Sequence, residues 1–446
     1  MQRRVAFAVT TLAAIGLATA TLAAAPAASA SPDTPLKFPA AASATLYTGK
    51  ALDTCTAPSL AAMKTWSTAS PYRGIGIYIG GPMRGCAQPN LTPAWVNSVT
   101  KQGWKLLPIY MGLQAPCSRF TNPAKLVSLP TAAAQGTTSA TDAIADLKAL
   151  GLQPGSAVYD DMELYDTTDT ACTQAVLTYI SGFTTELHRR GYLAGFYVTT
   201  TGATALSANY ASTAYARPDA LWVANWDSDP TVSTGFDSIN STQWTIHQRV
   251  KQYQGDFYAT YPATTATVKG VKLRIDADYI DGPVATLAHP HLISVKTTAR
   301  SAPTTSATAG AALKVGATVK VICQTPGKKT AGTAVWDKLS TGAYVNDHYV
   351  DTPSNTTYSA GLPRCYYPYQ VTATEGTTER SDAGNTYETK GLRRTGALAW
   401  VVCQKPATEM TGTTTVWDRL NNGYYVSDYD VATTSKTTYT APIPRC

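Results

Sequence analysis

The chain has 446 residues, a formal net charge of +7 and 15% charged residues. A chain of this length is too long for one compact domain, so we expect two or three domains. The small positive excess is not gathered into a long run of lysine and arginine, which argues against nucleic acid as a partner and suits an anionic cell wall.

Residues 1–30 have the composition of a signal peptide. A basic start at Arg3 and Arg4 precedes an alanine-rich apolar run, and the sequence ASA at 28–30 is a small-residue cleavage site. The two arginines also resemble a twin-arginine signal, and both export routes stay open. No later stretch is as long and apolar as a membrane span, so we expect a secreted protein, wall-associated or free, without an integral membrane segment. Residues 31–46 are expected to be a linker.

The cysteines indicate an oxidising compartment. There are eight, and none lies in a C-x-x-C pair, which argues against zinc ribbons and redox motifs. An even number in an exported chain predicts four disulfides. The positions are Cys55, Cys86, Cys117, Cys172, Cys323, Cys365, Cys403 and Cys446.

The last third of the chain contains a duplication. Cys323 matches Cys403, and after a one-residue insertion Trp336 matches Trp417. Because each copy of one unit should close its own bridge, we predict disulfides between 323 and 365 and between 403 and 446. Each would close a loop of about 43 residues and stabilise a small domain by a few kcal/mol.

Each copy is rich in short strands. The runs TVKVICQ, TAVWDKL and GAYVNDHYV are β-branched or aromatic and are separated by turn residues, which predicts a small all-β barrel. The order of these runs resembles bacterial SH3-like domains, and the resemblance implies two wall-binding repeats at 293–365 and 370–446. The two tryptophans are expected to fill the core. The tyrosines expected to be exposed for ligand contact are Tyr344, Tyr349, Tyr425 and Tyr429.

Strands and helices alternate in the part of the chain before this duplication. Eight apolar segments have strand character, and helical patterns occur between them, for example over 139–151 and 172–191. This alternation predicts an α/β fold with a (β/α)8 TIM-like barrel over 47–287. A doubly wound open sheet is the alternative, but the chain lacks a glycine-rich dinucleotide turn. The eight segments are 50–55, 74–81, 104–112, 156–164, 192–200, 220–227, 250–256 and 272–282.

Polar residues follow the strand segments where a barrel places its chemistry, at the carboxyl ends. They are Asp53, Asp160, Asp161, Glu163, Asn225, Asp227, Gln252, Gln254, Asp276 and Asp278. The first four cysteines lie just past strands one to four, on the same rim. Pairing neighbouring loops would join 55 to 86 and 117 to 172, although the sequence allows three connectivities.

The segment AVYDDMELYD places three carboxylates at the end of the fourth strand. Since strand side chains alternate, Asp161 and Glu163 share a face, while Asp160 takes the other. Two close carboxylates repel, so one holds a proton more readily than usual. A neutral acid beside an ionised partner is what glycosidic cleavage requires.

These segments carry a family resemblance. ALD, YDDMELY, GFYVTT, LWVANWD, QYQGD and IDADYIDG occur in the order seen in family-25 lysozymes (muramidases). They resemble more closely the glycoside-hydrolase-like domain of unknown function in exported actinobacterial proteins. The resemblance covers residues 47–285. The chain departs from the lysozyme pattern at Thr54-Cys55 and at Asp278, where lysozymes have a polar V-S pair and an asparagine.

The resemblance implies roles for individual residues. Glu163 would be the general acid, and Asp53 with Asp276 would complete an acidic floor. If cleavage is substrate-assisted, Asp161 would orient or charge-stabilise the 2-acetamido group of the sugar. The residues expected to bind substrate are Tyr110, Tyr197, Asn225, Trp226, Gln252 and Asp278.

Two functions therefore stay open on the sequence. The first is a secreted glycoside hydrolase acting on peptidoglycan or a related cell-wall glycan. The second is a non-catalytic wall-binding protein with a hydrolase-like barrel. The five histidines show no H-E-x-x-H spacing, and neither a G-x-S-x-G elbow nor a P-loop occurs, so we expect no cofactor and no metal. We expect a monomer.

Overall fold

Eight strands form a closed barrel in the computed structural model, which describes residues 37–446. They are β1 (Thr45–Asp53), β2 (Gly74–Gly80), β3 (Lys105–Tyr110), β4 (Ala157–Asp161), β5 (Leu193–Thr199), β6 (Ala220–Ala224), β7 (Arg249–Tyr261) and β8 (Val271–Val284). Each overlaps one of the eight segments expected from the sequence, so the predicted barrel is confirmed. The expected signal peptide and residues 31–36 of the expected linker lie outside the described residues.

Helices follow the first five strands and cover the outside of the barrel. They are α1 (Leu60–Ala69), α2 (Pro93–Lys101), α3 (Ala132–Ala149), α4 (Thr170–Arg189) and α5 (Thr200–Ala208). In α4 the N-cap Asp169 accepts a hydrogen bond from the Cys172 N–H, and Gly191 follows the last turn with a positive φ of 79°. Among the described residues, no helix is long and apolar enough to cross a membrane.

The eighth strand departs from an all-parallel barrel. β8 pairs antiparallel with both β7 and β1. Residues 262–270 alone connect β7 to β8, and a parallel connection needs a crossover of a dozen or more residues. The two strands therefore form a long hairpin that closes the barrel.

Two six-stranded β-sheets follow the barrel. The first sheet contains β9 (His289–Leu292), β10 (Thr297–Arg300), β11 (Ala309–Leu313), β12 (Thr318–Thr330), β13 (Thr333–Leu339) and β14 (Tyr344–Asn346). The second sheet contains β15 (Tyr367–Gln370), β16 (Thr377–Arg380), β17 (Thr389–Arg393), β18 (Leu398–Thr411), β19 (Thr414–Leu420) and β20 (Tyr425–Ser427). Equivalent strands occur in the same spatial order in both sheets, so the sequence duplication is also a structural one.

The two predicted C-terminal disulfides are confirmed, and the first four cysteines form the neighbouring-loop pairing, one of the three connectivities that the sequence left open. They join Cys55 to Cys86, Cys117 to Cys172, Cys323 to Cys365 and Cys403 to Cys446. The first two hold the loops after strands one to four at the carboxyl rim of the barrel. The last two lie one in each sheet.

The aromatic residues of the duplicated part divide into core and surface. Trp336 and Trp417 are buried, as predicted. The expectation that Tyr344 is exposed was wrong, because its ring is buried and its hydroxyl donates to the carbonyl of Pro442, in the segment that follows the second sheet. Tyr349 and Tyr425 are half-buried and Tyr429 is exposed.

The second sheet packs against the amino-terminal end of the barrel. The Trp400 Nε1–H donates to the Ile246 carbonyl at 2.9 Å, and the Leu398 N–H donates to Gln248 Oε1 at 3.2 Å. A single apolar core runs from inside the barrel, at Trp222, into this sheet. Barrel and sheet therefore stabilise each other directly.

Each sheet contains a buried network of one glutamine and two aspartates. In the second sheet, Gln404 Nε2 donates to Asp418 Oδ1 at 2.8 Å and to Asp428 Oδ1 at 2.9 Å. The first sheet repeats this arrangement, since Gln324 Nε2 donates to Asp337 Oδ1 at 2.9 Å and to Asp347 Oδ1 at 2.8 Å. Burial, and then the charge of Asp428, raise the pKa of Asp418 well above its usual range. The pair therefore keeps a proton that an unfolded chain would release.

This network predicts a pH dependence of stability. Because the folded pKa is raised, the native state binds more protons than the unfolded chain, and the free energy of unfolding falls as pH rises from about 4 through the folded pKa. For Asp428 burial raises that pKa to about 6. We expect Asp418→Asn to reduce this fall by up to about 1.4 kcal/mol per pH unit. Urea unfolding at about pH 5 and pH 8 measures this fall in the wild type and in the variant. If the free energy of unfolding fell equally in both proteins, the two aspartates would not share a proton.

Candidate active site

The end of β4 places its two aspartates on opposite faces, as the alternation predicts. Asp160 points outward and accepts a hydrogen bond from the Tyr179 hydroxyl of α4 at 3.3 Å. Asp161 points into the barrel, where the charges of Glu163 and Asp53 act on it. Glu163 follows the strand and is half-buried, so it lies between the buried floor and solvent.

A glutamine that the sequence analysis missed holds the turn after β4. The buried Gln114 Nε2 donates to the Asp161 carbonyl at 2.7 Å, and its Oε1 accepts from the Glu163 N–H at 2.9 Å. These two bonds fix the backbone on both sides of Met162. Gln114 therefore sets the position of Glu163 relative to Asp161.

Strands β1, β7 and β8 supply the opposite side of the site. Asp53 pairs with Asp276 in the β1–β8 register, and Gln252 pairs with Asp278 in the β7–β8 register. Gln252 Nε2 donates to Asp53 Oδ2 at 3.1 Å. Trp222 is buried in the core, and its Nε1–H donates to Asp278 Oδ1 at 3.1 Å.

Gln252 also connects the floor to an exposed aromatic ring. Its Oε1 accepts from the Tyr197 hydroxyl at 3.2 Å and from Trp226 Nε1 at 2.9 Å. Trp226 is 62% exposed, and its ring lies against Gly255, where a Cβ would meet it at 2.1 Å. Trp226 therefore presents a flat, exposed aromatic surface that its hydrogen bond to Gln252 holds in place.

Burial raises the proton affinity of the carboxyl groups that form the floor of the site, namely Asp53, Asp161 and Asp278. It raises the pKa of Asp53 to about 8, with the charge of Asp276 as the second cause. Burial and then the charge of Glu163 raise the pKa of Asp161 well above its usual range. Burial and then the charge of Asp53 also raise the pKa of Asp278 well above its usual range. The site therefore holds several carboxyl groups of which some are neutral at neutral pH.

Tyr78 is a second site residue that the sequence analysis missed. It lies on β2, and the charges of Asp53, Asp161 and Asp276 raise its pKa after burial, the largest cause. The strand sequence GIGIYIG contains the signal, since alternation puts Tyr78 on the face opposite the three isoleucines.

Two expected substrate-binding residues lie outside the site. Tyr110 points toward the helices, where its hydroxyl donates to Asp142 Oδ2 at 2.8 Å and its ring packs near Phe183. Asn225 turns toward the loop before β7, and its Nδ2 donates to the Gly235 carbonyl at 3.0 Å. The structure brings together the other eight, which are Asp53, Asp161, Glu163, Tyr197, Trp226, Gln252, Asp276 and Asp278.

Comparison with known families agrees with this geometry. Residues 64–280 match the model of the family described as Rv2525c-like, glycoside hydrolase-like domain. The barrel is therefore similar to this glycoside hydrolase-like domain. No curated protein matches the chain.

Three solved structures similar to the chain come from bacteria. The Tat-secreted protein Rv2525c of Mycobacterium tuberculosis is 13% identical, with a TM-score of 0.35, and 52% of this chain covers 96% of it. The modular autolysin LytC of Streptococcus pneumoniae is 11% identical, with a TM-score of 0.32, and 52% of this chain covers 46% of it. The spore cortex lytic enzyme SleM of Clostridium perfringens is 12% identical, with a TM-score of 0.33, and 67% of this chain covers 95% of it.

Proposed function

We propose that the protein is an exported glycoside hydrolase that cleaves peptidoglycan or a related cell-wall glycan. The observation that supports this most is the set of buried and half-buried carboxyl groups beside the exposed Trp226. The four disulfides suit an oxidising compartment outside the cytoplasm.

The proposed reaction starts with Glu163. It gives its proton to the glycosidic oxygen while the bond from that oxygen to the anomeric carbon breaks. The acetamido oxygen of the same sugar bonds to the anomeric carbon, and Asp161 orients this group. Water then attacks the anomeric carbon while the bond from that carbon to the acetamido oxygen breaks, and the water gives a proton to the Glu163 carboxylate. Asp53 and Asp276 form the floor on which positive charge develops.

Trp226 and Tyr197 are proposed to bind the sugar. The ring of Trp226 would stack on one sugar, and Gln252 would hold both aromatic residues in position through its Oε1. The two C-terminal sheets are proposed to be SH3-like domains that bind the wall, and their half-buried or exposed tyrosines Tyr349, Tyr425 and Tyr429 are the contacts proposed there.

One observation favours the second function, a wall-binding barrel without catalysis. Asp53 and Asp161 are only 2% and 4% exposed, and Asp278 is fully buried. Because these three aspartates are so little exposed, a substrate would contact only Glu163, Asp276 and the aromatic residues above them. In that case the same surface would bind glycan without cleaving it.

Product analysis distinguishes the two functions. The mature protein is incubated with purified sacculi, and released fragments are separated, reduced and weighed by mass spectrometry. We expect new reducing sugar ends. Sedimentation of intact protein with sacculi that release no fragments would support the second function and contradict the first.

A further inference from the structure

Equivalent faces of the two sheets differ in what covers them. In the second sheet, Leu398 and Trp400 of β18 lie opposite Gln370 and Pro368 of β15. This face is covered by the barrel, and both Leu398 and Trp400 are buried.

Among residues 37–446, none covers the same face of the first sheet. There, Thr318 and Lys320 of β12 lie opposite Leu292 and Pro290 of β9, in the equivalent register. All four of these residues are exposed. The duplication therefore supplies an internal comparison of one covered and one uncovered face.

Two neighbouring loops extend the uncovered face. Mutual backbone hydrogen bonds of 2.9 Å, from the Gly316 N–H to the Ile293 carbonyl and from the Ile293 N–H to the Ala317 carbonyl, hold the loops together. Each loop presents a valine beside a lysine, in the sequences SVK (294–296) and KVG (314–316).

Three aliphatic side chains of this face are exposed to solvent, which is unfavourable for apolar groups. Val315 is 64% exposed, and Val295 and Leu292 are each 46% exposed. At the position equivalent to Val315, beside the barrel, the second sheet has Thr395. The loop that is away from the barrel and more exposed thus has valine where the loop beside the barrel has threonine. Contact with water alone would favour the opposite distribution.

The charged residues around this face indicate which kind of partner it binds. Lys296, Lys314 and Lys320 are exposed around the three aliphatic side chains. One acid, Asp351, lies at the edge, where it accepts from the Leu292 N–H at 2.6 Å and pairs with His291 at 3.3 Å. The combination of aliphatic loop tips with surrounding lysines matches the apolar boundary and negative surface of an anionic membrane.

We infer that this face, formed by Leu292, Val295, Val315 and the three lysines, binds the surface of an anionic lipid bilayer. The valines would enter the headgroup boundary while the lysines remain among the lipid phosphates. An anionic wall polymer would need the lysines but would gain nothing from the aliphatic side chains. The inference does not depend on the proposed hydrolase activity.

Co-sedimentation of the mature protein with vesicles tests this inference. We expect binding to vesicles of phosphatidylglycerol mixed with phosphatidylcholine and much weaker binding to phosphatidylcholine alone. The double variant Val295→Ser, Val315→Ser should weaken the partition coefficient by about tenfold or more, since it removes two apolar contacts. Each Lys→Gln change at 296 or 314 should weaken it about fivefold.

Val268→Ser is the matched control, because Val268 is 43% exposed in the β7–β8 connection, away from this face. It should bind vesicles like the wild type, and unchanged melting temperatures would show that all variants fold. Absence of vesicle binding, or wild-type binding by the double valine variant, would overturn the inference. So would a double valine variant that loses binding to sacculi while the wild type ignores vesicles, because the face would then bind a wall polymer.

Discussion

Glu163→Gln is expected to reduce hydrolysis of sacculi by about 10²–10⁴-fold, the usual contribution of a general acid. Gln keeps the size of the side chain and its capacity for hydrogen bonds, but it has no proton to give to the leaving oxygen at neutral pH. The bond from Gln114 goes to the backbone N–H of residue 163, so the substitution leaves that contact in place. The rate of release of reducing ends measures the effect.

Asp160→Asn is the matched control for this substitution. It lies on the same strand as Asp161 but on the outer face, against the Tyr179 hydroxyl. We expect a change in the free energy of unfolding and little change in the rate per folded molecule. Wild-type activity in the Glu163→Gln variant would remove Glu163 from the mechanism, as would loss of turnover confined to Asp160→Asn.

The sequence was sufficient for the parts of the fold that depend on local pattern. Strand segments, their alternation with helices and the opposite faces of Asp160 and Asp161 all follow from short-range periodicity. The C-terminal disulfide pairs followed from the duplication, whereas the N-terminal pairs were one of the three connectivities that the sequence allowed. These features do not require knowledge of packing between distant segments.

The errors have a common physical cause in packing that no local pattern encodes. Both faces of β3 are apolar, since the strand is buried on both sides, so periodicity could not assign Tyr110 to the helix side. Tyr344 is buried by a contact with Pro442, 98 residues further along the chain. Gln114 acts on Glu163 across 49 residues, from a loop with no strand or helix pattern. Tyr78, by contrast, could have been found from alternation within β2.

The sequence also left open how the duplicated part is attached. In the structure, the barrel and the second sheet share a common apolar core. Trp400 of β18 takes part in this contact, since it is buried and its Nε1–H donates to the carbonyl of Ile246. Ile246 has a positive φ of 57°, and its neighbour His247 has 61°, so the segment before β7 is strained.

Trp400→Ala is therefore expected to lower the free energy of unfolding by about 3–5 kcal/mol, the range for truncating a large buried aromatic side chain. The variant loses apolar contacts with the barrel, leaves a cavity and frees the carbonyl of a strained residue. Lys320→Ala is the matched control, because Lys320 occupies the equivalent position in the first sheet but is exposed. It should change stability by less than about 0.5 kcal/mol. Urea unfolding of both variants measures the difference, and equal effects would mean that the second sheet is not stabilised by the barrel.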